Sequence, residues 1–264
     1  MTSVRTLGLP ATLYCRPFAE GLRNDASFVL VNGEPAVLAQ KLLARELDAA
    51  FLSPIDYARN ASEYLIVPNS AVSSAEGNNA IVVHFREGAR SVQTLAVQPA
   101  SASDIILAKI LLAERFDLTP QIVPVLGSLD EMLARGDAAL LAADAAMRYA
   151  LSRPNALDLV EEWIVATDLP YVHGFWAARE GALSKPDLRA VSTAGKRGYD
   201  ALASAGGPLA DALETFSYDL TADVQEGITE FFRYAYYHGI LPDIPDLRFF
   251  GAADEPSGSD PALN

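Results

Sequence analysis

The stretch ELDAAFLSPIDYARN, Glu46 to Asn60, contains the local pattern that decides the fold class. Its apolar run Ala49–Leu52 stops at Ser53-Pro54, which predicts a buried strand followed at once by a helix. Ser is a favoured N-cap, and Pro suits the first helical position. The N–H groups at such a helix start can receive an anion. An ordinary strand-to-helix turn is the alternative interpretation.

Similar strand-to-helix corners recur along the chain. Thr94–Val97 is followed by a polar stretch and the helical spacing of Ile105–Phe116, and Ala138–Ala142 is followed by Asp144 and a further helix pattern. Strands that alternate with helices indicate an α/β fold with largely parallel sheets. There are two such runs, before and after about residue 88, so we expect two lobes with a ligand cleft between them.

The predicted lobes are discontinuous in sequence. Lobe I comprises residues 1–88 and 176–264, lobe II comprises residues 89–175, and two crossing strands, AIVVHF and YVHGFWAA, join them. Between the strands of lobe I, residues 69–79 are small and polar and predict a loop. Residues 217–227 and 228–238 predict two helices, and the aromatic stripe Phe231–Tyr237 predicts either core packing or the surface of a homodimer.

Composition limits the function classes. The chain has 264 residues, 50% of them hydrophobic, and a net charge of −14. An acidic protein is a poor partner for nucleic acid or an anionic membrane surface. The single cysteine, Cys15, excludes an intrachain disulfide and a multi-cysteine metal site, and no other metal-ligand spacing is present. Without a recognisable signal peptide or an apolar run of about 18 residues, we expect a cytoplasmic soluble protein.

Several ordered segments carry a family resemblance. Five segments together resemble the chorismate dehydratase family of the futalosine route to menaquinone: ELDAAFLSPIDYARN, the loop that contains Ser73-Ser74, QPASASDIILAKILLAERF, DAALLAADAAM and EEWIVATDLPYVHGFWAARE. The resemblance runs from about Val4 to Phe250. It implies a two-lobed, periplasmic-binding-protein-like type II fold and a carbon–oxygen lyase, without a cofactor, that eliminates water from chorismate. The implied product is 3-[(1-carboxyvinyl)oxy]benzoate, and the substrate's own carboxylate is the implied base.

The resemblance also indicates the catalytic positions. Tyr14 stands where the family has its catalytic Asn, and Ala80 stands at the position of a family Ser. Asn78 or Asn79 can take the role of that Ser after a shift of one residue. The catalytic candidates are therefore Tyr14 and Asn78. A phenol donates one hydrogen bond but does not reproduce the donor-plus-acceptor pair of an amide.

The predicted contacts to a small carboxylate lie at strand ends and in the loop of lobe I. They are Ser53, Ser73, Ser74, Ser101, Ala102, Ser103 and Asp144. Ser101 and Ala102 would act through their backbone N–H groups. The alternative roles are helix capping for Ser53, Ser101 and Asp144 and a solvated turn for Ser73 and Ser74.

Two other functions remain open from the sequence. The replacements at Tyr14 and Ala80 also suit a non-catalytic binder of a small cyclic or aromatic carboxylate. The sister enzyme that makes dihydroxynaphthoate relies on a His base, for which His173 on the return strand is the candidate. A lone His on a strand is more often a structural residue.

Overall fold

The computed structural model describes residues 4–98, 101–149 and 155–251. Within them the chain forms two five-stranded sheets covered by helices. The first sheet has the order β2-β1-β3-β10-β4. Its strands are β1 Arg5–Pro10, β2 Phe28–Gly33, β3 Ala49–Leu52, β4 Leu65–Ser74 and β10 Tyr171–Ala178. β1 is parallel to β2 and β3, whereas β10 is antiparallel to β3 and β4.

The second sheet has the order β7-β6-β8-β5-β9. Its strands are β5 Ile81–Phe85, β6 Thr94–Val97, β7 Gln121–Pro124, β8 Ala138–Ala142 and β9 Ala156–Asp158. β6 is parallel to its neighbours β7 and β8, whereas β5 is antiparallel to β8 and β9. Each sheet thus has a parallel part, as the alternation of strand and helix patterns predicts.

The helices follow the strands in the predicted alternation until the C-terminal part, which is helical. They are α1 Arg16–Leu22, α2 Pro35–Leu43, α3 Pro54–Ala58, α4 Ala102–Phe116, α5 Leu129–Arg135, α6 Ala143–Tyr149, α7 Leu159–Thr167, α8 Lys185–Ala205, α9 Pro208–Leu213 and α10 Ala222–Tyr237. Among the described residues, no helix has the length and apolar character needed to cross a membrane.

The corner at Ser53-Pro54 has the predicted form. All four residues of β3 are buried. Ser53 is the N-cap of α3, and its side chain accepts the N–H of Asp56 at 3.3 Å. Pro54 is the first helical residue, where its lack of an N–H has no cost. The strand and helix expected from this stretch are confirmed.

The chain crosses between the sheets twice. It leaves the first sheet after Ser74 and enters the second at Ile81, and it returns between Thr167 and Tyr171. β5 therefore belongs to the second sheet, and the whole of β10 belongs to the first. The division into residues 1–88 plus 176–264 and 89–175 stays a prediction.

Two local expectations were wrong. Residues 69–74 continue β4 instead of forming a loop, because β10 provides a partner for them across the sheet. The two helices expected over residues 217–238 are one helix, α10, which begins after the N-cap Thr221. Ser217 instead pairs its backbone with that of Ser73 in an isolated bridge.

Helix α10 presents two kinds of aromatic surface. Phe231 and Phe232 are buried against the main core, whereas the ring of Tyr237 is 79% exposed. The first two aromatic residues of the stripe therefore belong to the core, Tyr236 and Tyr237 are exposed, and a homodimer surface stays a prediction.

Helix α1 packs directly on α8. A Cβ added at Gly198 would lie 1.8 Å from the carbonyl oxygen of Pro17, so only glycine permits this approach of the two backbones. The contact fixes the turn that carries Tyr14 against the first sheet.

Candidate functional site

The start of α3 was expected to offer free N–H groups to an anion, and this was wrong. The Ser103 hydroxyl accepts the N–H of Ile55 at 3.0 Å, and Ser53 accepts the N–H of Asp56. The N–H of Tyr57 is bound to the carbonyl of Ser53. Since Pro54 has no N–H, the first turn has no donor left for a ligand. Ser53 and Ser103 as ligand contacts stay predictions, but they would act through other atoms.

The start of α4 carries a capping box. Ser101 accepts the N–H of Asp104 at 3.1 Å, and the Asp104 carboxylate accepts the N–H of Ser101 at 3.1 Å. This box occupies the Ser101 N–H that was predicted to bind a carboxylate. The N–H groups of Ala102 and Ser103 find no acceptor within the described part of the chain, and they are the donors available at this corner.

The predicted residues Ser74 and Asn78 form a buried polar chain with His173. The Asn78 amide nitrogen donates to the Ser74 hydroxyl at 2.8 Å, and Ser74 lies 3.0 Å from Nε2 of His173. The carbonyl oxygen of Asn78 accepts the N–H of Ala80 at 3.0 Å. All of these side chains are at most 8% exposed. The first crossing segment is thus tied to the return strand β10.

Tyr14 lies against the same histidine. Its ring centroid is 5.0 Å from that of His173 and 5.6 Å from that of Phe216. On the other side, Tyr171 meets His173 edge-on at 5.1 Å. Tyr171 and His173 are two residues apart on one strand, so their side chains share a face of the sheet. The result is a row of three rings, Tyr14, His173 and Tyr171, which we call the aromatic row.

Burial governs the ionisation of this region. It lowers the pKa of His173 to about 3, so the imidazole is neutral at physiological pH. It raises the pKa of Tyr14 and of Tyr171 well above the usual value, and the negative charge of Asp104 adds to both shifts. Neither phenol is therefore a base near neutral pH, and both act as hydrogen-bond donors.

Two carboxyl groups lie at the facing helix starts. Burial raises the pKa of Asp104 to about 6, and the charge of Asp56 raises it further, whereas hydrogen bonds from Ser101 and from the Tyr171 hydroxyl lower it. Burial also raises the pKa of Asp56, against its bond with Ser53 and the charge of Arg59. A ligand carboxylate placed between these corners would meet negative charge that the sequence interpretation did not include.

The two remaining predicted contacts have structural partners. Ser73 is 1% exposed and forms two backbone hydrogen bonds with Ser217. Asp144 accepts the N–H of Leu13 at 3.2 Å. Asp144 follows β8 of the second sheet, and Leu13 follows β1 of the first, so this bond connects the turn that carries Tyr14 to the other sheet.

The predicted polar residues are buried, except Asp144, which is half-buried. An open cavity of about 240 Å³ lies beside them and is lined by Ala75, Glu76, Glu214, Thr215, Phe216 and Ser217. Phe216 separates this cavity from Tyr14 and His173, because its ring contacts both. Among the described residues, no group of His, Cys, Asp or Glu side chains could hold a metal ion.

Sequence reasoning missed Asp56, Asp104 and Tyr171. A usable signal existed for Asp104, because Ser-Ala-Ser-Asp has the spacing of a capping box and brings the acid to the helix start. Tyr171 and His173 alternate on a strand, which places them on one face. No local sequence pattern indicates that Tyr171 and His173 lie close to Tyr14, because they are more than 150 residues away from it in the chain.

Comparison with known proteins gives the family. A family profile described as menaquinone biosynthesis matches residues 6–237, which include strands of both sheets and all of the candidate site. The chain belongs to this menaquinone-biosynthesis family. A curated relative in Thermus thermophilus, a chorismate dehydratase, is 28% identical over 213 residues, 74% of this chain and 78% of the relative.

Solved structures show the fold of this family member. The periplasmic aliphatic sulphonate binding protein of Escherichia coli matches with a TM-score of 0.61 and 15% identity, over 100% of this chain and 96% of that one. A Candida albicans protein with the generic periplasmic-binding-protein fold matches with a TM-score of 0.62 and 13% identity, over 92% of each chain. The expected two-lobed type II fold is confirmed.

Proposed function

We propose that this chain is a chorismate dehydratase-like lyase that eliminates water from chorismate to give 3-[(1-carboxyvinyl)oxy]benzoate, and that it acts in the cytoplasm. The observation that carries the proposal is the family match over residues 6–237, together with the Thermus thermophilus chorismate dehydratase as a relative. The candidate site adds chemical support, since it combines buried polar donors with an apolar aromatic wall, as a site for a small cyclic acid requires.

The proposed site is the region between the aromatic row and the two helix starts. Tyr14 takes the catalytic position and donates one hydrogen bond, while Asn78 holds Ser74 and through it His173. The N–H groups of Ala102 and Ser103 receive a carboxylate of the substrate. The substrate's own carboxylate takes the ring proton as the carbon–oxygen bond to the ring hydroxyl breaks, and the hydroxyl takes up that proton and leaves as water. The neutral His173 and the two un-ionised phenols therefore need only orient the ring and its hydroxyl.

Entry requires the two sheets to move apart. Most of the candidate residues are buried, and a cavity of about 240 Å³ lies beside Phe216. We propose that the crossing segments, residues 75–80 and 168–170, act as the hinge, because they are the connections between the sheets. Solution scattering that shows no change in dimensions on ligand binding would argue against this motion.

A non-catalytic binder of a small cyclic or aromatic carboxylate is the second candidate function. It is favoured by the packing of Tyr14 between His173 and Phe216. A phenol in that place offers one donor and lacks the amide's paired donor and acceptor. Binding of the same ligand is therefore compatible with loss of turnover.

One assay separates the two functions. The purified chain is incubated with chorismate, and the loss of substrate and the appearance of the dehydrated product are followed by liquid chromatography and mass spectrometry. We expect turnover by the natural chain and by Tyr64→Phe, whose ring lies at the opposite end of β4 from Ser74, and a strong decrease for Tyr14→Phe. Binding of chorismate in calorimetry without any product would establish the binder instead, and absence of both would reject both functions.

A further inference from the structure

The turn that carries Tyr14 takes its cap from the other sheet. It is a short 3₁₀ helix, Leu13–Cys15, and its N-cap residue Thr12 makes no side-chain capping bond within the described chain. The first N–H of such a helix needs an acceptor from elsewhere. The Asp144 carboxylate supplies it, since it accepts the N–H of Leu13 at 3.2 Å across 131 positions of the chain. The turn follows β1 of the first sheet, whereas Asp144 follows β8 of the second.

Other contacts hold the ring of Tyr14 and the end of the turn. The Tyr14 carbonyl accepts the Tyr218 hydroxyl at 3.0 Å, and the Tyr14 ring lies against His173 and Phe216. The close packing of α1 on α8 fixes the chain that follows the turn. The bond to Asp144 acts at the opposite end, where the turn begins.

A strained residue precedes Asp144. Ala143, the first residue of α6, has a φ of 51°, in the left-handed region that alanine rarely adopts. Its N–H donates to the carbonyl of Ala80 at 2.7 Å, and it packs against the hydrophobic cluster that contains Tyr14. Strained backbone persists where the surrounding structure holds it, and it collects at functional sites. Because Ala80 ends the crossing segment proposed as a hinge, the strained corner links the hinge to Asp144.

We propose that Asp144 is a positioning residue for Tyr14. Its bond to Leu13 sets the turn in the catalytic arrangement when the two sheets are closed, and opening at the hinge releases the turn. The inference rests on the proposed function in one respect, that Tyr14 is a catalytic group. In this role Asp144 acts through the turn and does not touch the substrate, so it affects the rate of the chemical step rather than the affinity for the substrate.

Steady-state kinetics of the full chain with chorismate test this role. We expect Asp144→Ala to lower kcat about tenfold or more with little change in KM, because a small displacement of the turn misplaces its catalytic group. Asp144→Asn keeps an oxygen that can accept the Leu13 N–H, so its kcat should stay within about threefold of that of the natural chain.

The matched control is Asp48→Ala. Asp48 is half-buried like Asp144, and its carboxylate accepts the N–H of Thr6 at 2.7 Å within the first sheet. Loss of this bond should lower the free energy of unfolding by an amount comparable to that for Asp144→Ala and should leave kcat unchanged. If Asp144 contributed to stability alone, the two Ala variants would have the same kcat.

Hydrogen exchange of the Leu13 amide, followed by NMR spectroscopy, gives a readout that does not depend on turnover. Asp144→Ala removes the acceptor of this amide and should speed its exchange about tenfold, as the loss of one hydrogen bond allows. Asp144→Asn and Asp48→Ala should leave the exchange rate of Leu13 close to that of the natural chain.

The inference is overturned if Leu13 exchanges at the natural rate in Asp144→Ala. It is also overturned if this variant raises KM and leaves kcat unchanged, since that result would show a direct contact with the substrate. Failure of the proposed function gives a different result. A natural chain that does not turn over chorismate rejects the lyase, and the exchange rates then decide whether Asp144 holds the turn. A chain that turns over chorismate with equal kcat in Asp144→Ala keeps the lyase and rejects the inference.

Discussion

Replacing Asp104 by Asn should stabilise the protein at alkaline pH, although it removes an ionisable group from a helix N-terminus. Asp104 is 4% exposed and caps the N–H of Ser101. The Asn carbonyl can accept the same N–H, so the capping bond is retained. The substitution removes the charge, which burial makes unfavourable in the folded state.

The magnitude follows from the pKa. The folded state raises the pKa of Asp104 from 3.8 to about 6. The folded protein therefore binds more protons than the unfolded chain between these values, and its stability falls as the pH rises through them. A shift of about two pKa units corresponds to a cost of about 3 kcal/mol above pH 6, which is absent below pH 3.8. Asp104→Asn should recover up to that amount at pH 8 and almost nothing at pH 4.

The assay is urea unfolding of the natural chain and the variant at several pH values between 4 and 8. The matched control is Asp187→Asn, since Asp187 holds the same third position in the capping box that begins at Ser184. There the effect of burial is outweighed by hydrogen bonds from Ser184 and Arg5, and the pKa of Asp187 is lowered. Its carboxylate stabilises the fold above the unfolded pKa, so this control should lose stability at pH 8.

The reasoning is refuted if Asp104→Asn is no more stable than the natural chain at pH 8. It is also refuted if the gain does not shrink toward pH 4, since a pH-independent gain would have another origin than the buried charge. If the free energy of unfolding at pH 8 changes in the same direction for Asp104→Asn and Asp187→Asn, capping geometry rather than ionisation decides the stability of both variants.

Three further substitutions test other contacts by urea unfolding. Ser74→Ala leaves the amide nitrogen of Asn78 and Nε2 of His173 without a partner and should cost about 2–3 kcal/mol. The exposed Ser204→Ala should cost less than about 0.5 kcal/mol, and equal costs for the two variants would contradict the buried polar chain. Gly198→Ala forces α1 and α8 apart and should cost more than about 4 kcal/mol, whereas Ala203→Gly on the exposed face of α8 should cost about 1 kcal/mol. A soluble Gly198→Ala of natural stability would contradict the close approach. Ser53→Ala should cost about 1–2 kcal/mol. The control Ser128→Ala should cost less, because its capping box is exposed. The reverse order would show that burial of the Ser53–Asp56 hydrogen bond does not increase its contribution to stability.

Local sequence determined the corners of this fold. Ala49–Leu52 followed by Ser53-Pro54 specifies a strand end and a helix start, because the N-cap and the proline act within one turn. The same holds for Ser128 and Glu131, whose capping box is complete in four residues. The alternation of these units also predicted an α/β fold, and the ordered segments indicated its family.

Only the tertiary structure decided what the corners do. The hydroxyl of Ser103 accepts a hydrogen bond from the N–H of Ile55, which is 48 positions away in the chain. The donor expected for a ligand is therefore already used. His173 meets Ser74 across 99 positions and Tyr14 from the other side. Residues 69–74 look like a loop in the sequence, but β10, which lies about 100 residues further along the chain, pairs with them in the first sheet. Propensity and spacing act over a few residues, whereas pairing, burial and the resulting pKa values depend on which distant segments are packed together.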